Sequence, residues 1–455
     1  MRGFCAKDTV VAIATPAGPG GIGVVRMSGP SSREIFARLW RGRVHPSGFE
    51  PRKLYLGRVD LADHGSPITD HVMAVHMPAP NTYTGEDVVE ISCHGSQPLL
   101  AKLVDACVAA GARTAGPGEF TRRAFLAGKM DLAQAEAVCD LISAEGERGA
   151  RIAAEQLQGR LSREIRLIAD ATAGLRARVE AAIDFPDEEI DGETGLAEAI
   201  TNTLKSCARL AFTFENGRMM RDGVRVAIAG RPNAGKSSVL NRIVGFDRAL
   251  VHHAPGTTRD VVEERASIDG LVFSFLDTAG LRTAAGEVES LGIEKSKAAI
   301  ASADLTLVVF DGSRRFSGED REALKLALGK KALYVVNKSD LPQNFDIEEL
   351  EAEPVRTSAL TGDGFGELAK RLAWEAIGAA SPSGGAVVVS ARHKSLLDAA
   401  GRALEGALAE LAERRPVELV AQRLRAAHEA LNEITGEAAT EELLDRIFSK
   451  FCIGK

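Results

Sequence analysis

No apolar run in this chain of 455 residues approaches the roughly 20 residues that cross a bilayer. Its long apolar stretches, such as Leu305 to Phe310, have the length of strands. The N-terminal MRGFCAKDTVV has no apolar core of a secretory signal, because Lys7 and Asp8 interrupt it. Together these absences predict a cytoplasmic protein without a membrane partner. Cys5, Cys93, Cys107, Cys139, Cys207 and Cys452 are scattered, with no CxxC and no Cys/His cluster. Reduced thiols fit that pattern better than a disulfide framework or structural zinc. An excess of cationic side chains is missing too: 56 Lys+Arg against 63 Asp+Glu leave a net charge of −7. Indiscriminate binding to nucleic acid, which draws its affinity from neutralised phosphates, is therefore not expected.

The length predicts two to four domains, and 45% hydrophobic with 26% charged residues is ordinary for a folded protein. Residues 1–118 read as a mixed α/β domain: short strand-like runs at Val10 to Ala14, Gly23 to Met27, Lys53 to Val59, His71 to Met77 and Val88 to Ser92, and a helical pattern from Leu99 to Ala110. The glycines from Gly18 to Gly23 lie between strands, without the following helix that a dinucleotide fold requires. Residues 119–220 change to helical texture. Leu157, Leu161, Ile165, Ile168, Leu175, Val179 and Ile183 fall on one face of a long helix. The same texture returns in 381–455, where Val417, Val420, Leu424, Ala427, Leu431 and Ile434 alternate three and four. Each apolar stripe needs a cover, and packing the two stretches together makes a helical bundle domain. Between them, residues 221–380 hold continuous apolar runs at Val224 to Ala229, Leu271 to Leu276, Leu305 to Phe310 and Leu333 to Val336, separated by helical patterns. That rhythm predicts a mainly parallel sheet buried on both faces, inserted into the helical domain.

The inserted segment carries the chemistry. Its first strand runs into Gly230-Arg231-Pro232-Asn233-Ala234-Gly235-Lys236-Ser237-Ser238, a complete GxxxxGK[ST] loop that opens a helix. Backbone N–H groups of such a loop surround phosphates, Lys236 meets the β/γ charge and Ser237 holds Mg²⁺. Asp277-Thr278-Ala279-Gly280 sets a carboxylate near the Mg²⁺ shell and a glycine N–H near the γ-phosphate. Gly256-Thr257-Thr258 offers a second hydroxyl to the metal. Asn337-Lys338-Ser339-Asp340 follows a strand, and Asp340 can accept from the ring N–H and exocyclic amine of guanine, a donor pair that adenine lacks. Ser358-Ala359-Leu360, after Thr357, complete the base pocket, so the nucleotide is GTP. Leu281 stands where Ras-like enzymes carry their water-orienting glutamine and cannot orient a water, which leaves Arg282, Glu287 and Glu289 as candidates.

Taken together, GRPNAGKSS, GTTRD, DTAGLR, NKSD, the upstream PNTYTGEDVVE and the terminal Phe451-Cys452-Ile453-Gly454-Lys455 closely resemble the MnmE (TrmE) family of tRNA-modification GTPases over essentially the whole chain. The resemblance implies an N-terminal α/β domain that binds folate and dimerises, a helical bundle and an inserted P-loop (Ras-like) G domain. It also implies a homodimer that joins the flavoprotein MnmG, as a heterotetramer, to build an aminomethyl or carboxymethylaminomethyl group on C5 of wobble uridine in tRNA. The one-carbon unit would come from a 5-formyl- or methylene-tetrahydrofolate. Carried over residue by residue, K⁺ is held by Asn233 and by a loop spanning His252, His253, Ala254, Pro255, Gly256, Thr257 and Thr258. Within that loop the ligands are His252, Ala254 and Thr257, and His252 departs from the small hydroxyl residue common in the family. Mg²⁺ falls to Ser237 and Thr258. The water-orienting glutamate is Glu289, acting with Lys236 and Asn233, and the folate ligands are Arg26, Glu90, Lys129 and Lys455. Cys452 is implied in the modification chemistry. With the net charge at −7, contact with tRNA has to be local, shared with MnmG, or made by a cluster such as Arg122, Arg123 and Lys129. A rival reading from another class is a regulatory GTPase switch, as in ribosome assembly, without one-carbon chemistry.

Overall fold

The computed structural model describes residues 8–61, 68–185, 195–246, 263–277, 300–378 and 385–455. The chain divides into two compact units, Met1–Cys139 with Asn432–Lys455, and Asp140–Leu431.

In the first unit seven strands form one sheet: β1 (Val10–Ile13), β2 (Gly20–Ser28), β3 (Trp40–Arg41), β4 (Tyr55–Leu61), β5 (Ile68–Met77), β6 (Val88–Gly95) and β7 (Arg113–Thr114). Their order is β3-β4-β5-β6-β2-β1-β7, antiparallel except for the β1–β7 pair. Strand β4 alternates exposed and buried positions, so one sheet face is left to the core. That face is covered by α1 (Ser32–Leu39) and α2 (Gln97–Ala109), whose Phe36, Leu100 and Leu103 are buried with Val25 and Ile91 of the sheet. Gly20, Gly21 and Gly23, expected between strands, belong to β2, with a register shift between Gly20 and Gly23. Helices α3 (Glu119–Leu126) and α4 (Leu132–Ser143) follow along the chain.

The chain end belongs to this unit. Ile453 bridges Pro117, and Phe451 is buried. Gly454 has φ +97°, and a Cβ there would stand 2.1 Å from the carbonyl oxygen of Ile13, so only glycine lets the tail lie against β1.

The second unit combines helices with a six-stranded sheet. The expected long helix over residues 157–183 is two helices. α5 (Glu147–Leu157) ends, Gly159 takes φ +78°, and α6 (Arg160–Asp184) begins. An apolar stripe that keeps its spacing across such a break cannot reveal it, because one left-handed residue breaks the backbone and not the pattern. Helix α7 (Leu196–Phe212) packs along both α6 and the helix Ala391–Ala412, and α8 (Phe214–Asp222) leads into the sheet.

The sheet strands are β8 (Val224–Ala229), β9 (Glu263–Ile268), β10 (Leu271–Asp277), β11 (Leu305–Asp311), β12 (Ala332–Asn337) and β13 (Val355–Arg356). Their order is β13-β12-β11-β8-β10-β9, parallel apart from the antiparallel β9–β10 hairpin at one edge. Alternate residues feed two cores. Val226, Ile228, Leu307 and Val309 pack on one face with Val239 of the helix Lys236–Phe246 and Leu368 of Phe365–Ile377. Ala227, Ala229, Val308 and Phe310 pack on the other with Ala323 and Ala327 of Gly318–Ala327. Burial on both faces explains why these strands read as continuous apolar runs. Numbered in order, the remaining helices are α9 (Lys236–Phe246), α10 (Gly318–Ala327), α11 (Phe365–Ile377), α12 (Ala391–Ala412), α13 (Val417–Thr435) and α14 (Glu441–Phe448). Arg425 of α13 meets Glu180 of α6 at 3.5 Å.

Candidate nucleotide and folate sites

The phosphate loop leaves the carboxyl end of β8 and enters α9, where open α/β sheets bind ligands. Gly235 has φ +92°, and a Cβ there would lie 2.3 Å from Asn337 Nδ2. Glycine is thus required both by the backbone turn and by the approach of the base loop. Asn233 adopts φ +62° and is exposed, while Ala234 is buried. Lys236 Nζ donates to the carbonyls of Gly230 (2.9 Å) and Arg231 (2.8 Å), which holds the ammonium inside the loop. Ser237 and Ser238 stand exposed in the first turn of α9, the end where a helix favours anions.

The base loop is joined to the phosphate loop by side chains. Asn337 Nδ2 donates to Ala234 O at 3.1 Å, and Asn337 Oδ1 accepts from Ala359 N at 3.1 Å. Asp340 Oδ1 accepts from Ser358 Oγ at 2.5 Å, Ser339 N donates to Thr357 O at 3.0 Å, and Thr361 N donates to Ser358 Oγ at 3.1 Å. Leu360 projects into solvent, 80% exposed. Lys338, at φ +68°, donates to Asn233 O at 3.0 Å and to Asp311 Oδ2 at 2.7 Å. Sequence reasoning missed Asp311. Burial alone would raise its carboxyl, but Lys338 and the Ser313 donors outweigh that and hold it below the usual carboxylate range. A charged residue closing an otherwise apolar strand was the available signal.

Asp277 ends β10 in register with Ile228 of β8. Thr278, Ala279, Gly280 and Glu289, together with His252, His253, Ala254, Pro255, Gly256, Thr257 and Thr258, lie outside the described residues.

In the first unit, β2 and β6 bring Arg26 and Glu90 into register. Arg26 Nε and Nη2 both lie 2.8 Å from Glu90 Oε1, and the guanidinium sits 5.9 Å from the Tyr83 ring and 5.8 Å from that of Phe120. The Lys129 stem runs beside Gly85, and the tail carrying Lys455 lies against Ile13 and Ala14, one pair from the Ala12–Arg26 pairing. Cys452 is exposed.

Of the basic cluster expected for tRNA, Arg122 and Arg123 are engaged by carboxylates. Arg123 is 4% exposed and is bound to Asp8, Glu86 and Glu119, while Arg122 pairs with Glu441 and Asp445. Their charge is neutralised within the fold, so they add little to phosphate attraction. His94 Nδ1 is taken by Asp70 at 2.6 Å, and no group of metal-ligating side chains occurs among the described residues. A cavity of about 690 Å³ elsewhere in the second unit, lined by Ile268, Phe365, Leu372 and Trp374, contains no phosphate- or base-loop residue. Its size does not locate the nucleotide site. No helix among the described residues is long and apolar enough to cross a membrane.

A glycine loop at a strand end, its lysine, and an Asn-Lys-x-Asp loop tied to it across a mainly parallel sheet define a P-loop GTP-binding protein, here with a separate α/β unit and a helical part. The sequence profile of the MnmE helical domain matches residues 132–452, and that of the GTP-binding protein TrmE N-terminus matches residues 9–129. A tRNA modification GTPase MnmE of Natranaerobius thermophilus is 40% identical over 457 residues, covering 99% of this chain and 100% of the relative. Its namesakes in Chloroflexus aurantiacus and Geobacter sulfurreducens are each 43% identical, over 458 and 455 residues, covering 99% of this chain and 100% and 99% of those relatives. The chain belongs to the MnmE (TrmE) family of tRNA modification GTPases, and it is a GTP hydrolase.

Proposed function

We propose that this protein is a K⁺-dependent, homodimeric cytoplasmic GTPase that works with the flavoprotein MnmG to modify C5 of wobble uridine in tRNA, using a tetrahydrofolate one-carbon unit. The observation that carries the modification part is that the Arg26–Glu90 pair and the C-terminal tail lie in one unit, the tail against the strand that pairs with that of Arg26. A GTPase switch without one-carbon chemistry has no use for that arrangement.

The residues fit their ligands. Both Arg26 contacts fall on Glu90 Oε1, so the carboxylate keeps Oε2 to accept from the amine and ring N–H of a pterin. Arg26, Lys129 and Lys455 supply cations for carboxylate or carbonyl oxygens, and the Arg26 guanidinium lies close to the rings of Tyr83 and Phe120. In the G domain, Ser237 and Thr258 would hold Mg²⁺, and Asn233, His252, Ala254 and Thr257 would hold K⁺. The exposed Asn233 side chain, on a backbone pinned by Lys338, suits that role. These ions supply positive charge against the transferred phosphoryl group. Lys236 meets the β- and γ-phosphate oxygens. Glu289, through a bridging water, orients the nucleophilic water that attacks the γ-phosphorus, breaking its bond to the β-bridging oxygen to leave GDP and phosphate. Asp340 reads guanine and is itself oriented by Ser358.

Nucleoside analysis of tRNA from cells lacking the protein tests the reading. Loss of the C5-modified wobble uridine, restored by the wild-type gene and not by Glu289→Ala, is the expected result. Normally modified tRNA in those cells would contradict it. Titration of the full-length protein with 5-formyltetrahydrofolate separates the two classes, since absence of binding would favour the regulatory switch.

A further inference from the structure

Asp311, at the end of β11, has no part in the function just described. It is 2% exposed and in register with Asn337. Oδ1 accepts from Ser313 N (3.0 Å) and Ser313 Oγ (2.6 Å), and Oδ2 lies 2.7 Å from Lys338 Nζ. Arg231 and Arg314 each place a guanidinium nitrogen 3.9 Å from Oδ2. Buried carboxylates persist where they are paired, and this pairing joins two loops rather than filling a core. The same Lys338 ammonium donates to Asn233 O at 3.0 Å. The lysine side chain therefore spans from the base loop to the phosphate loop, with Asp311 at its anchored end.

We propose that Asp311 is a positioning residue for guanine-nucleotide binding: by anchoring Lys338 it locks the phosphate loop to the base loop, so that the two halves of the site keep one spacing. The inference rests on the GTP reading of these loops. With a neutral residue at 311, the Lys338 ammonium loses its compensating partner and Asn233 O loses a fixed donor. Ligand binding must then order both loops, a cost that falls on affinity rather than on the chemical step.

The test is a double-mutant cycle on the full-length protein with fluorescent mant-GDP and mant-GTP, using Asp311→Asn, Lys338→Gln and the pair. Asp311→Asn is expected to weaken both nucleotides by about ten- to a hundredfold, the scale of a charge-assisted hydrogen bond. In GTP hydrolysis the loss should fall on KM and not on kcat. The double variant should bind within about threefold of the weaker single variant, because either change breaks the same link. Losses that multiply, or wild-type affinity in folded Asp311→Asn, would overturn the proposal. If Asp311→Asn does not fold, Lys338→Gln carries the test from the partly exposed side, and unchanged affinity there overturns it equally. Wild-type protein that bound no guanine nucleotide would overturn both this assignment and the reading beneath it.

Discussion

Asn233 and Lys338 share an uncommon backbone, with φ of +62° and +68°, and they touch each other through the lysine ammonium. Non-glycine residues in that region cost free energy unless their surroundings hold them there. Here the holding groups are known: Asn337 ties both loops together, and Asp311 anchors the lysine. Cysteine behaviour is decided at the same scale. Burial pushes the Cys107 thiol up to about 12, and burial aided by the nearby Asp70 carboxylate pushes Cys93 up to about 11; burial also lifts Cys207 to about 11. At pH 8 the thiolate fraction of these groups is on the order of 10⁻³ to 10⁻⁴, whereas Cys452 is exposed. Titration of the native protein with a chromogenic disulfide reagent should, among the cysteines of the described residues, modify Cys452 first and reach Cys93, Cys107 and Cys207 only after unfolding. Rapid native labelling of Cys107 would show that its burial is wrong.

Among the elements, the β9–β10 hairpin stands out by where its ends lead. It follows the segment 247–262 and precedes 278–299, which carry the motifs proposed to sense the γ-phosphate. Its turn is gripped by the segment that starts α5. Arg148 N donates to Gly270 O at 3.1 Å, Arg148 Nε donates to Asp269 O at 2.8 Å, and the guanidinium pairs with the Asp269 carboxylate. Arg265 adds a two-pronged contact to Glu145. Exposed ion pairs contribute little by themselves, so the grip rests mainly on the hydrogen bonds to the turn's backbone. Arg148→Ala combined with Glu145→Gln should lower overall stability by no more than about 2 kcal/mol and should speed amide exchange in residues 264–276. Hydrogen exchange by mass spectrometry checks this, and unchanged protection of the hairpin would show that the clamp does not hold it. The break at Gly159 belongs to this scale too. A hydrophobic stripe reports which face is buried and is silent about a single left-handed residue in its path.

At the scale of the molecule, the chain leaves its first unit, builds a second that contains the nucleotide loops, and returns to close the first with its own terminus. A ligand that binds only the folded form of one unit stabilises that unit by mass action, by about 2.7 kcal/mol at a free concentration one hundred times Kd. Calorimetry with saturating GDP and Mg²⁺ should therefore raise one thermal transition and leave the other within about 1 °C. A common shift of both would show that the units unfold as one. The charge of −7 also takes on a different meaning here. Arg122 and Arg123 pair with carboxylates of the first unit, which reduces what they can offer to phosphates.

The amino-acid order alone determined the nucleotide chemistry, because a phosphate loop and a base loop are contiguous peptides whose function follows from residue type and spacing over a few positions. It determined the apolar strands by the same local logic. Only the tertiary structure decided which distant residues meet. Arg26 faces Glu90 through strand register, the C-terminal tail lies on β1, and Asp311 reaches Lys338 across neighbouring strands. It also paired Arg122 and Arg123 with carboxylates from distant parts of the chain. Such encounters depend on how elements pack, and neither composition nor periodicity encodes that.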